Sequence, residues 1–182
     1  MRGLTDTPDE VLVSRIVAGE RELFRVLIER HQKQVYGLGM SFFKDAEDAA
    51  DFTQDVFIKA YQALSSFQGR SRFSTWLYRV AYNTAVTSLK RRQEYRNLLV
   101  WEELEVPAKG TPEDTVLRAC ALEALQQAIQ ELPDRYRVCI DLYFFYDRSY
   151  EEIAVITGFP LNTVKSHIFR AKQLLKEALQ GG

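Results

Sequence analysis

The segment from Leu161 to Lys172, LNTVKSHIFRAK, carries side chains that could bind DNA. Val164, Ile168 and Ala171 recur at three- and four-residue steps, the spacing of a helix's buried stripe. The other face is polar and largely basic, and consists of Asn162, Thr163, Lys165, Ser166, His167, Arg170 and Lys172. Arginine and lysine can pair with guanine or phosphate, and asparagine can read adenine. This face is either a DNA-reading surface or the solvated side of a helical hairpin.

A second candidate for nucleic-acid binding is the segment FQGRSRFSTWLYRVAYNTAVTSLKRRQEYR, which runs from Phe67 to Arg96. Its aromatic residues alternate with basic ones, and between Arg70 and Arg96 seven Lys or Arg stand against one acid. A basic surface can follow a phosphate backbone, and aromatic faces can hold unstacked bases. Trp76 fits the core of a helical unit better than a cleft, and the basic run from Lys90 to Arg92 has a solvated helix end as its alternative.

No group of residues in the sequence has the pattern of a catalytic, metal or cofactor site. A Gly-rich phosphate loop, a His-Glu-x-x-His motif and a Cys/His cluster are all absent from it. His31 falls on an apolar stripe and is expected in the core, while His167 is expected on the DNA-facing side of its helix. Cys120 and Cys139 are the only cysteines and are expected to be buried. We therefore expect a protein that is not an enzyme and has no cofactor.

The elements that position these residues are predicted to be helices, because the apolar period is helical almost throughout. Helix starts are predicted at Asp9 and Ser74, and Ser149 with Glu152 has the spacing of a capping box. Gly158 should end that helix, and Pro160 suits the first turn of the next. A short helix, a glycine turn and a longer basic helix together form the pattern of a helix-turn-helix unit, whose second helix enters the major groove.

The chain divides into two small helical domains. Residues 1–96 form the first, residues 97–115 an acidic, flexible linker, and residues 116–182 the second, which gives an all-α fold. The net charge of −1 hides basic blocks and an acidic block at Asp45–Asp55 with five acids and no base. No apolar run approaches the length of a membrane span, so we expect a cytoplasmic protein without membrane contact of its own.

Four motifs, in order and at the right spacing, resemble the extracytoplasmic-function (ECF) group of bacterial sigma factors of the sigma-70 family. They are DAADFTQDVFIKAYQAL, FSTWLYRVAYNTAVTSLKRR, ELPDRYR and SYEEIAVITGFPLNTVKSHIFRAK. The resemblance implies a dissociable subunit that directs core RNA polymerase to promoters. It implies that the first domain docks on the clamp helices of the largest polymerase subunit and opens the −10 element. The second domain would read the −35 element as duplex and touch the flap of the second-largest subunit.

The resemblance also assigns roles to individual residues and implies an anti-sigma factor as a further partner. Polymerase docking is expected from Asp51, Gln54, Asp55 and Phe57. Binding of −10 DNA is expected from Phe67, Arg70, Ser71, Arg72, Phe73, Asn83, Lys90, Arg91 and Arg92. Binding of −35 DNA is expected from Asn162, Thr163, Lys165, Ser166, His167, Phe169 and Arg170. His167 stands where the group frequently has arginine, which bears on the −35 preference.

An ordinary helix-turn-helix regulator that binds only duplex DNA is the main alternative. The second domain alone does not separate the two functions, because such regulators share the SYEEIA-like helix pair. The first domain favours the sigma factor, since it is basic and aromatic where a sensor domain would offer a ligand pocket. Asn83 could also have a purely local role, because an amide inside a helix often bonds to its own helix.

Overall fold

The computed structural model describes residues 7–98, 125 and 127–180, and within these residues the secondary structure is helical with no strand. The all-α prediction is confirmed. The first domain contains α1 (Asp9–Val17), α2 (Phe24–Phe43), α3 (Ala46–Ala63) and α4 (Phe73–Leu98), with single 3-10 turns at Arg21–Leu23 and Leu64–Ser66. Helical residues 127–131 lead into the second domain, whose helices are α5 (Asp134–Phe144), α6 (Tyr150–Thr157) and α7 (Leu161–Gln180).

The apolar stripes of α2, α3 and α4 meet in the core of the first domain. Leu27, Leu38, Val56 and Leu77 are fully buried or nearly so. Gly39 allows the closest approach between α2 and α3, because a Cβ at this position would lie 3.2 Å from Ala49 Cα. A larger residue there would force apart two helices whose packing holds the domain together.

Helix α1 is joined to α2 by a half-buried cluster of polar side chains. Asp9, the first residue of α1 as predicted, pairs with Arg30 at 2.5 Å and with His31 Nε2 at 2.6 Å. The ring of His31 also lies 5.5 Å from the ring of Phe73, edge to face. His31 is therefore half-buried beside the core, where it joins a polar pair instead of the purely apolar packing that its position on the stripe predicts.

The second domain has the predicted helix-turn-helix geometry. Ser149 accepts a hydrogen bond from the Glu152 amide, and the Glu152 carboxylate accepts one from the Ser149 amide, so both halves of the capping box form. Gly158 has φ of 76°, a left-handed conformation that suits glycine, and α7 starts three residues later. These local signals therefore fix the turn between α6 and α7.

The two domains contact each other, which the sequence did not predict. Thr75 Oγ1 on α4 donates a hydrogen bond to Glu152 Oε1 on α6 at 2.7 Å, and Arg148 donates one to Ser74 Oγ at 3.1 Å. On α2, Ser41 bonds to the buried carboxylate of Asp141 in α5. Hydrogen bonds from both α2 and α4 therefore join the first domain to the second.

The last helix of the first domain ends close to the predicted start of the linker. Helix α4 continues to Leu98, two residues into the segment expected to be linker. The rest of the predicted linker, residues 99–115, lies outside the described residues, as does Cys120. In the part of the chain that the structure describes, no helix is long and apolar enough to span a membrane.

Candidate nucleic-acid and polymerase interfaces

Helix α7 has the two faces that its sequence predicted. Val164, Ile168 and Ala171 are buried against α5 and α6. Five of the predicted −35 residues are exposed, while Thr163 is half-buried. The exposed residues are Asn162, Lys165, Ser166, Phe169 and Arg170. The outer face therefore presents an amide, a hydroxyl, a phenyl ring and two permanent positive charges to a DNA groove.

The expected position of His167 needs correction, because its ring packs inward rather than on the outer face. It lies 5.1 Å from the rings of both Tyr136 and Phe159, and Nδ1 is 3.9 Å from the thiol of Cys139. Burial, with the nearby charges of Arg135 and Arg170, holds its pKa below the usual value, so the ring is neutral at pH 7. Periodicity missed this because position 167 lies at the edge of the apolar stripe.

Cys139 is buried as expected, and burial raises the pKa of its thiol to about 12. A thiol with that pKa remains protonated at neutral pH and is not a nucleophile. Its contact with His167 is therefore part of the packing between α5 and α7.

The aromatic residues at the start of α4 form a packed cluster. Phe73 is fully buried, and its ring lies 5.9 Å from that of Phe67 and 5.7 Å from that of Trp76. Glu10 on α1 accepts a hydrogen bond from the Phe73 amide at 2.8 Å, so α1 fixes the first turn of α4. The prediction that Phe73 contacts −10 DNA is therefore corrected, since its side chain belongs to the core. Phe67 and Trp76 are half-buried, which supports a packing role for Trp76.

The polar residues around this aromatic cluster remain open to solvent. Arg70 and Arg72 are exposed in the loop before α4, and Ser71 is half-buried. Asn83 is exposed almost three turns after the start of α4, and among the described residues its side chain has no hydrogen-bond partner. The purely local role for Asn83 thus lacks a contact to support it, whereas both its donor and its acceptor remain free for a base.

The three basic residues near the end of α4 have two different environments. Lys90 and Arg91 are exposed and make no ion pair within the described ranges. Arg92 donates a hydrogen bond from Nη1 to Asp48 Oδ2 at 2.7 Å and lies 5.1 Å from the centre of the Phe43 ring. Its hydrogen bonds to Asp48 hold the pKa of that carboxyl below its usual value. Arg92 therefore helps to join α4 to α2 and α3 while its side chain remains exposed, and its expected role in DNA binding stays a prediction.

The exposed face of α3 carries the predicted docking residues, with one correction. Asp51, Gln54 and Asp55 are exposed, as expected for contacts to a protein partner. Phe57 is only 6% exposed and packs edge to face on Phe24, so it cannot contact a partner without leaving the core. The sequence reasoning missed Ile58, which is 55% exposed. Its position seven residues after Asp51, which places it on the same helical face, is the signal that could have identified it.

Comparisons with known proteins place both domains in one family. The Sigma-70 region 2 model matches residues 27–95, and the Sigma-70 region 4 model matches residues 122–175. The chain is 38% identical over 186 aligned residues to the RNA polymerase sigma-H factor of Pseudomonas aeruginosa, with 97% of this chain and 96% of the relative covered. It is 37% identical to the ECF RNA polymerase sigma-E factor of Escherichia coli strain K12, with 94% of each chain covered.

Solved structures share the arrangement of helices. CnrH, in its complex with the cytosolic domain of CnrY, superimposes with a TM-score of 0.69 at 25% identity, with 95% of this chain and 97% of CnrH covered. The sigma factor RpoE of Bartonella quintana, in complex with the anti-sigma factor NepR, gives a TM-score of 0.70 at 23% identity, with 86% and 96% covered. With both family models matched and full-length relatives above one-third identity, this chain belongs to the ECF group of the sigma-70 family.

Proposed function

We propose that this protein is a promoter-recognition subunit that binds core RNA polymerase in the cytoplasm and directs it to start transcription. It acts by binding, not by catalysis. The observation that carries the proposal is that basic and polar side chains are exposed on two separate surfaces, on α4 with its preceding loop and on α7, in a chain of this family. A docking surface of opposite charge lies on α3.

The docking surface is the exposed face of α3, and its proposed partner is the clamp helices of the largest polymerase subunit. Asp51 and Asp55 lie one turn apart and supply negative charge, and Ile58 adds an apolar contact to the same face. A small apolar centre within a charged surface is typical of protein interfaces. The flap of the second-largest subunit is the proposed partner of the second domain.

The −10 surface combines positive charge with one free amide. Arg70 and Arg72 can bind phosphates, and Asn83 can form two hydrogen bonds with the edge of an unstacked base. Holding a base outside the stack must offset an unstacking cost of about a few kcal/mol, which a specific pocket can do. This surface therefore suits the melted strand, whereas a duplex-only regulator has no need of it.

The −35 surface is the outer face of α7. Lys165 and Arg170 provide two permanent charges, and Asn162, Ser166 and Phe169 provide hydrogen-bonding and apolar groups for base edges. Because Phe73 and His167 are engaged in packing, we exclude them from the proposed DNA contacts, and we propose that the exposed Arg92 acts mainly through its pairing with Asp48.

An anti-sigma factor is a further proposed partner. The sigma factor RpoE, whose fold this chain shares, was solved in complex with the anti-sigma factor NepR.

Reconstitution with core polymerase would test the function directly. The purified chain should co-elute with core polymerase on a sizing column and start transcription from a promoter library. It should also bind a single-stranded −10 oligonucleotide with base preference. A regulator that binds only duplex DNA would show neither co-elution nor preference for the single strand, and that result would contradict the proposal.

A further inference from the structure

Tyr136 lies where α5 crosses α7. It belongs to the ELPDRYR motif, but no role has been assigned to it above. The residue is 7% exposed. Its ring contacts the ring of His167 on α7 at 5.1 Å in an edge-to-face arrangement. A buried ring held by an aromatic neighbour has few rotamers available, so the position of its hydroxyl is well defined.

The hydroxyl of Tyr136 is directed toward Arg170. Arg170 Nη1 donates a hydrogen bond to Tyr136 Oη at 3.4 Å, and this bond holds the pKa of the phenol below its usual value. Arg170 itself is exposed, and no carboxylate within the described residues pairs with it. Only one of the five N–H donors of the guanidinium is used, so the remaining four are available to DNA.

A second cation lies against the same ring. The guanidinium of Arg135 is 5.0 Å from the centre of the Tyr136 ring. The neighbouring acid, Asp134, pairs with Arg137 and so does not neutralise Arg135. Tyr136 thus stands between two guanidinium groups, and the local field favours a phosphate or the acceptor edge of guanine.

We infer that Tyr136 is a positioning residue for DNA reading: its hydroxyl fixes the guanidinium of Arg170 in the orientation in which it contacts one base pair of the −35 element. This inference rests on the proposed function and names the residue that sets the specificity of one contact. An exposed arginine side chain otherwise loses considerable conformational freedom when it binds. A hydrogen bond to a rigid partner reduces that loss because the orientation is set before DNA arrives.

The test uses the full-length chain and the substitution Tyr136→Phe, which removes only the hydroxyl and keeps the ring contacts with His167 and Arg135. Affinities are measured by fluorescence anisotropy at one fixed salt concentration. The probes are −35 duplexes in which each base pair is replaced in turn. We expect discrimination at a single position to fall about threefold to tenfold, with affinity for the other duplexes unchanged. Arg170→Ala should lose discrimination at the same position, and the double variant should lose no more than Arg170→Ala.

Tyr143→Phe is the matched control, because Tyr143 lies on the same helix and stacks on Tyr150 at 5.1 Å, with no contact to Arg170. It should leave discrimination at every position unchanged. The inference is overturned if Tyr136→Phe keeps full discrimination, or if it weakens all duplexes equally, which is the result of a displaced helix. A wild-type chain that binds every duplex alike would instead contradict the proposed −35 function, and the inference with it.

Discussion

The hydroxyl of Tyr146 lies 2.8 Å from the point that a Cβ atom on Gly37 would occupy. Gly37 is in the middle of α2 in the first domain, and Tyr146 follows α5 in the second. Glycine inside a helix costs about 0.5–1 kcal/mol relative to alanine. The close approach of Tyr146 accounts for a glycine at this position, since any side chain would occupy the space that the tyrosine fills.

Gly37→Leu should therefore separate the two domains without damaging either one. The added side chain clashes with Tyr146, while α2 itself gains helix propensity. We expect a larger radius of gyration by small-angle X-ray scattering and unchanged helix content by circular dichroism. Gln32→Leu is the control, because Gln32 is exposed on the same helix and does not line the cavity that Gly37 and Tyr146 border between the domains. An unchanged radius of gyration for Gly37→Leu would show that Tyr146 simply moves aside.

Reversing the charge of Asp51 and Asp55 together should weaken binding to core polymerase. Close charge pairs at protein interfaces show coupling energies of about 1.5–7 kcal/mol, so the decrease in affinity should be measurable in a competition assay. Binding to −35 duplex is the internal control and should not change, because both residues lie on α3. If the double variant binds core polymerase with unchanged affinity, this face of α3 is not the docking site.

Asn83→Ala should abolish preference at one base of a single-stranded −10 oligonucleotide. The amide is exposed and has no partner among the described residues, so its removal should leave the melting temperature unchanged. Labelled oligonucleotides substituted at each position would be titrated against both proteins. Asn162→Ala provides an exposed asparagine in the other domain as control. If the wild type binds all substituted strands equally, the N-terminal domain does not read the melted strand.

Arg91 and Arg92 should respond oppositely to alanine substitution. Arg92→Ala removes the interactions with Asp48 and Phe43, so it should lower the melting temperature with little effect on DNA binding. Arg91→Ala should preserve stability and reduce the slope of log affinity against log salt by about one, because the variant neutralises one phosphate fewer. If both variants reduce the salt slope by the same amount, the two arginines do not have the different roles proposed here.

Lowering the pH should weaken the contact between α1 and α2, because the carboxylate of Asp9 becomes protonated. Burial opposes ionisation of this carboxyl, but hydrogen bonds from His31 and Arg30 outweigh it and keep the pKa below the usual value of 3.8. The carboxylate therefore contributes stability that is fully present above pH 3.8 and is lost as the pH falls through the lower folded pKa. Asp9→Asn should reduce the free energy of unfolding at pH 7, measured with urea, and the difference from wild type should narrow below pH 3.8. An equal difference at both pH values would exclude this linkage.

The sequence predicted those structural features that depend on residues close to one another in the chain. Ser149 and Glu152 are three residues apart, and Gly158 acts on its own turn, so local pattern determined that helix and its end. The side chains that were misplaced, Phe57, Phe73 and His167, are covered by residues from other helices. Each has a ring partner that is distant in sequence, namely Phe24, His31 and Tyr136 respectively, and local pattern does not reveal that contact. The close approach of Gly37 and Tyr146 has no local signal at all.

The ring of Tyr82, beside Asn83, lies 6.5 Å from the ring of Phe159, which in turn contacts His167 on α7. The proposed targets of Asn83 and α7 are about 25 base pairs apart, or about 85 Å of B-form DNA at about 3.4 Å per base pair. A protein whose two readers are adjacent cannot occupy both sites on one promoter. Binding to both sites therefore requires Tyr82 and Phe159 to separate. The free energy of the interface between the domains is then a cost that polymerase binding must offset before both promoter elements are bound.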